Sequence, residues 1–116
     1  MLHMSTDSPT VFERIIAREI PADIVLESET LIAFRDIAPQ APMHVLVVPK
    51  TAEYANVAEL AAGDPALLAE LVAVAAQIAG GDYRLVFNSG AKAGQTVFHV
   101  HAHVLAGGLE EGTLAK

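Results

Sequence analysis

The chain has 116 residues, seven basic and fourteen acidic, for a net charge of −7. That length allows one domain with a real core, and the acidic balance argues against non-specific binding to nucleic acid or to an anionic membrane. Cysteine is absent, which excludes a disulfide framework and a thiolate metal site.

Residues 1–10 are short and polar, unlike a signal peptide, and read as a disordered N-terminal segment. Thr10-Val11-Phe12-Glu13 matches a capping box, so a helix should run to about Arg18 and stop before Pro21. Ile24–Glu27 and Leu31–Arg35 read as two short strands joined by a turn at Ser28-Glu29. Ile37–Met43 carries Pro39 and Pro42 and reads as a rigid loop, and His44–Val48 is a β-branched, apolar, buried strand. Asp64 and Pro65 open the main helix, Leu67, Leu68, Leu71, Val72, Val74, Ala75 and Ile78 recur along it at helical spacing, and Gly80-Gly81 ends it. Its apolar run, Ala66–Ala79, is interrupted by Glu70 and Gln77 and is too short to cross a bilayer. No membrane association is expected, and the expected location is cytoplasmic. Tyr83–Phe87 reads as a strand, Asn88–Gly94 as a glycine-containing loop, Val97–Ala106 as the last strand and 109–116 as a short tail. The order α-β-β-β-α-β-β lacks βαβ alternation and predicts an α+β domain over 11–108, an antiparallel sheet with helices packed on it. Hydrophobic residues make up 53 %, with 21 alanines, which is apolar-rich for so small a domain and fits a homo-oligomer that buries one side of the subunit.

The last strand carries the chemistry. Side chains alternate along a strand, so His99, His101 and His103 fall on one face, with Val100, Ala102 and Val104 on the other. Imidazole exchanges its proton near neutral pH, and a strand face of three is poorly explained as a plain polar surface. A His-x-His pair could chelate zinc with a third ligand such as His44. However, His99 and His103 stand about 13 Å apart on an extended strand, so the three cannot share one ion. Nucleophilic catalysis fits better: one neutral ring takes a phosphoryl or nucleotidyl group covalently, and its neighbours meet other parts of the substrate. The adjoining Asn88–Thr96 loop has Gly90 and Gly94 for close backbone approach to an anion, and Asn88, Ser89, Gln95 and Thr96 as neutral donors.

Gly94–Leu105 resembles the His-φ-His-φ-His-φ-φ signature of the histidine triad superfamily. Phe12–Ala22 resembles the opening helix of that superfamily's Hint branch, and Phe34–Lys50 its central segment; with Tyr83–Gly90, the similarity spans about residues 11–108. The resemblance implies that His101 is the nucleophile, that His103 contacts phosphate oxygens and assists the leaving group, and that His99 fixes the His101 tautomer through its backbone carbonyl. It implies that Gly94, Gln95 and Thr96 line the phosphate site and that Asn88 lies near the ribose–phosphate link. Asp36 would accept both ribose hydroxyls, Ile37, Phe12, Ile15 and Phe34 would pack around the base, and His44 would support the triad from behind. Read alone, Phe12, Ile15, Phe34 and Ile37 are core residues, Asp36 caps the Pro39 loop in an Asx turn, and His44 is a satisfied buried histidine.

The chain departs from the family pattern in three places. Thr96 stands where relatives often carry Ser, and Thr51-Ala52 follows Pro49-Lys50 where they often place a histidine, which argues against a metal site there. The C-terminal Trp-Pro-Pro-Gly of many Hint proteins is missing, which bears on leaving-group preference. The resemblance implies an α/β meander of five antiparallel strands with two helices. It also implies a homodimer joining two sheets across the 64–79 helix, and cleavage of purine nucleoside phosphoramidates through a nucleotidyl-histidine, with no cofactor and no metal. Two alternatives remain: cleavage of dinucleoside polyphosphates, as in the Fhit branch, and nucleotide binding with incidental catalysis.

Overall fold

The computed structural model describes residues 9–110. The tail from 111 onward and residues 1–8 of the expected disordered segment lie outside the described residues, whereas Thr10 is part of the fold. Its hydroxyl accepts from Glu13 N–H and the Glu13 carboxylate accepts from Thr10 N–H, closing the capping box that starts α1, Val11–Ile16. This helix is shorter than the sequence suggests: Ala17 caps it and Arg18 turns the chain at φ 64°. The strands β1 (Ile24–Glu27), β2 (Leu31–Arg35) and β3 (Met43–Pro49) follow.

A helix missed in the sequence, α2 (Val57–Gly63), precedes the main helix, α3 (Pro65–Ala79). Its signal was present as Asn56-x-x-Glu59, and the Asn56 side chain accepts from Glu59 N–H at 2.9 Å. Asp64 ends α2 and starts α3, its carboxylate accepting from Leu67 N–H, with Pro65 in the first turn and Gly80 at φ 70° closing the far end. Among the described residues three α-helices therefore accompany the sheet rather than two. Among the described residues no helix is long and apolar enough to cross a membrane.

The sheet has five antiparallel strands in the order β1-β2-β3-β5-β4, with β4 at Arg84–Val86 and β5 at Ala102–Ala106. The expected last strand is thus cut to its second half. Residues 97–101 lie outside the ladder because their backbone is held otherwise: Val100 N–H donates to Tyr54 C=O at 2.9 Å, and His101 bonds back to the His99 carbonyl. One sheet face packs Leu31, Ala33, Val45, Val47, Ala102 and Val104 against Leu60, Leu67, Leu71 and Ala75 of α2 and α3. The opposite face packs Ile32, Phe34, Leu46 and Val48 against Phe12 and Ile15 of α1. The pair Leu46↔His103 puts the histidine row on this second face.

Candidate active site

The site begins where β2 ends. Asp36 Oδ1 accepts from Ala38 N–H at 2.8 Å, the Asx turn that holds the Pro39 loop. This loop aims the Gln40 N–H at His44 Nδ1, 3.0 Å away. Across the sheet, His44 Nε2 lies 2.9 Å from His103 Nδ1, and Asp36 Oδ2 lies 3.4 Å from the same His44 atom. His101 is two residues before His103, with ring centroids 5.1 Å apart. Asp36, His44, His101 and His103 therefore form one cluster.

His101 Nδ1 lies 2.8 Å from the carbonyl oxygen of His99. A carbonyl only accepts, so the ring proton is on Nδ1 and Nε2 carries a free lone pair. The Phe12 ring meets His101 edge-on at a centroid distance of 4.8 Å and limits its rotation. Burial lowers the His101 pKa against the opposing effect of the His99 hydrogen bond. Burial, together with the neighbouring His101 and His44, pushes His103 down to about 4. Both rings are neutral at pH 7.

His99 has a different place from its two companions. It is fully buried, its Nε2 donates to Pro49 C=O at 2.6 Å, and its Nδ1 meets no partner. Its side chain ties the strand approach to the end of β3, and its carbonyl alone reaches the site.

The glycine loop is built largely around Gln95. This buried amide accepts from Gly90 N–H at 2.8 Å and donates to Ala55 C=O at 2.6 Å and Val97 C=O at 3.0 Å. The N–H groups of Gly94 and Gln95 are also engaged, with Ala91 C=O and Gly90 C=O. Gln95 therefore shapes the loop and does not face an anion, contrary to the reading of it as a phosphate-lining donor. Gly94 turns at φ 98° with the Asn88 amide beside it, and Thr96 is exposed. The loop joins the histidines through Val97, which packs against the Phe12 cluster.

Of the residues expected around a base, Phe12, Ile15 and Phe34 are buried in the core, and Phe12 alone touches a ring of the site. Ile37 projects into solvent with 99 % of its surface exposed. Ligand atoms of Asp36, His44 and His103 lie within 4.8 Å of one another, a spacing that a metal could use. The donor set fits poorly. Coordination through His44 Nε2 would move its proton to Nδ1, where the Gln40 N–H already points.

A half-buried, singly oriented imidazole with a free Nε2, grouped with three other polar side chains, suits covalent transfer at phosphorus. The HIT domain family matches residues 17–108. The chain belongs to the HIT family. An uncharacterised HIT-like protein of Synechococcus elongatus is 50 % identical over 109 residues, covering 90 % of this chain and 93 % of its own. The purine nucleoside phosphoramidase of Escherichia coli is 41 % identical over 104 residues, covering 84 % and 87 %. The crystal structure of a HIT family hydrolase from Legionella pneumophila superposes with a TM-score of 0.81 at 39 % identity, covering 87 % and 95 %. The α+β fold with its five-stranded antiparallel sheet thus matches that of a solved HIT protein.

Proposed function

We propose that this HIT protein hydrolyses purine nucleoside 5′-phosphoramidates, of the adenosine phosphoramidate or AMP–lysine type, without a metal. The observation that carries this reading is the His101–His99 hydrogen bond, which leaves His101 Nε2 unprotonated. Its lone pair attacks the α-phosphorus, and the Nε2–P bond forms as the P–N bond breaks with its electron pair on nitrogen. The nitrogen departs as an amine once it carries a proton. Water then attacks phosphorus, the P–Nε2 bond breaks, and AMP leaves. Asp36 binds the ribose hydroxyls while keeping its Asx turn, and Thr96 and Asn88 contact the phosphate and its ribose link. The similarity to the Escherichia coli phosphoramidase supports this substrate class.

The protein acts as a homodimer, through the outer face of α3, where Val72 and several alanines are exposed, and through β4, the outermost strand on its side of the sheet among the described residues. Sedimentation at the mass of one chain would remove that part of the reading.

The deciding experiment measures AMP release from adenosine 5′-phosphoramidate in excess EDTA, with wild type and His101→Asn side by side. Turnover that survives chelation and falls by at least about 10³ in the variant is expected for a metal-free nucleophile. Loss of wild-type activity in EDTA would replace this mechanism with a metal-dependent one. AMP binding without turnover would make the protein a nucleotide-binding module.

A further inference from the structure

The peptide unit between His99 and Val100 is used at both ends. Its carbonyl accepts from His101 Nδ1 at 2.8 Å, and its N–H donates to Tyr54 C=O at 2.9 Å. The unit is trans, and a trans peptide is planar with its C=O and N–H pointing in opposite directions. Fixing one end therefore aims the other. Residues 97–101 lie off the sheet ladder, so the His99 carbonyl is not taken up by a neighbouring strand and stays available to the ring.

Tyr54 belongs to residues 50–56, which connect β3 to α2. Its neighbours are tied at both sides: Ala55 N–H donates to Glu59 Oε1 at 2.9 Å, and Ala55 C=O accepts from Gln95 Nε2 at 2.6 Å. The Tyr54 ring itself lies on Gly63, the last residue of α2. A methyl group at Gly63 would stand 2.4 Å from Tyr54 Cε1 and 3.0 Å from Cζ. Gly63 has no positive φ, so its backbone makes no demand for glycine, and alanine is the better helix former. What the position requires is the close approach of the ring. The other contacts of Tyr54 are with the buried cluster that contains Leu60 and Val100, on the closed face of the sheet.

Resting on the reading of His101 as the nucleophile of a phosphoramidase, we propose that Tyr54 is a positioning residue for His101 and that Gly63 is its seat. The ring on Gly63 fixes the Tyr54 carbonyl, and that carbonyl fixes the plane of the 99–100 peptide. The plane in turn holds the His101 ring with its proton on Nδ1 and its lone pair on Nε2. If the peptide turns, His101 loses its acceptor, the two ring tautomers become comparable, and fewer molecules present a free Nε2. The nucleophile on the open face is thus oriented from the closed one, and the effect belongs to turnover rather than to substrate binding.

The test compares wild type with Tyr54→Phe, Tyr54→Ala, Gly63→Ala and the double variant Tyr54→Ala/Gly63→Ala, by kinetics on adenosine phosphoramidate and by ¹⁵N imidazole NMR of His101. Tyr54→Phe keeps the ring and should match wild type in both. Tyr54→Ala and Gly63→Ala should each lose about tenfold in kcat, the scale of one hydrogen bond, keep KM within about twofold, and populate the Nε2–H tautomer of His101. With the ring gone the added methyl group strikes nothing, so the double variant should be no slower than Tyr54→Ala. Full kcat and an unchanged tautomer in Gly63→Ala overturn the proposal, even if its melting temperature falls. A loss in the double variant equal to the product of the two single losses overturns it as well. If Tyr54→Ala does not fold, Gly63→Ala set against Tyr54→Phe decides. Absence of phosphoramidase activity in wild type would refute the substrate reading, and the His101 tautomer in the variants would still decide the role of Tyr54.

Discussion

The two faces of the sheet are covered by helices of very different length. One lies under α2 and the fifteen residues of α3, and its buried cluster is aliphatic throughout. The other lies under α1, six residues long, which covers Ile32, Phe34, Leu46 and Val48 and then stops. Beyond that end the same face carries His44, His101 and His103. The row of side chains across β2, β3 and β5 runs Phe34, Leu46, His103, so core and site are neighbours in one register. The length of the covering helix decides where the sheet face is core and where it can do chemistry. Phe12 stands at the border, packed on Phe34 at 5.8 Å between ring centroids and on His101 at 4.8 Å.

The sharpest way to break this contrast is a truncation on each face. Leu71→Ala, on the closed face, should cost about 2–5 kcal/mol in urea unfolding and leave kcat and KM unchanged in the molecules that remain folded. Phe12→Ala should cost about 3–5 kcal/mol and also lower kcat, because the ring that confines His101 is gone. Equal kinetics in the two variants would show that the border residue is core only.

A smaller effect comes from pH. His101 and His103 have depressed folded-state pKa values, so the unfolded chain binds protons that the native site refuses. Their contribution to stability is complete above about 6.5 and is lost as pH falls from there toward the folded value of His103, about 4. Glu27, held down by Lys50 and Arg18, adds its own loss only below its ordinary value of 4.5. Stability of wild type should therefore fall between pH 6.5 and 5, and a His101→Asn/His103→Asn double variant should be flatter over that interval. A parallel fall in both would place the titrating groups elsewhere.

The apolar face and its helix were legible in the sequence because periodicity, the Asp64-Pro65 start and the Gly80 stop all agree on α3. The histidine alternation put His103 on the sheet face where the structure has it, but not His99, whose side chain turns to Pro49. It did not give the break at 97–101, because that irregularity rests on long-range bonds from Val100 to Tyr54 and from Gln95 to Ala55, which no local pattern encodes. The anchoring of Gln95 was hidden for the same reason: a polar residue in a glycine loop looks like a ligand donor until its Ala55 carbonyl partner, 40 residues away, is known. His44 was recognisable as a partner of the triad only through the resemblance, since its meeting with His103 spans 59 residues of sequence. The Asx turn at Asp36 needed only local chemistry to be read, and so did the burial of His44.

The smallest effect tests where the open face meets the nucleotide. Ile37 follows the carboxylate assigned to the ribose and is 99 % exposed, so it contributes nothing to the core. An isoleucine at full exposure on a loop held rigid by Asp36 and Pro39 is explained if a purine covers it on binding. Ile37→Ala should then leave the urea midpoint within about 0.5 kcal/mol of wild type. KM for adenosine phosphoramidate should rise about threefold to tenfold, the loss of part of one buried aliphatic side chain, with kcat unchanged. An unchanged KM would remove Ile37 from the base site, and the base would then have to rest against the Phe12 border alone. A lowered midpoint would mean that the loop folds onto the domain in solution, so that the open face is narrower than its exposed Ile37 suggests.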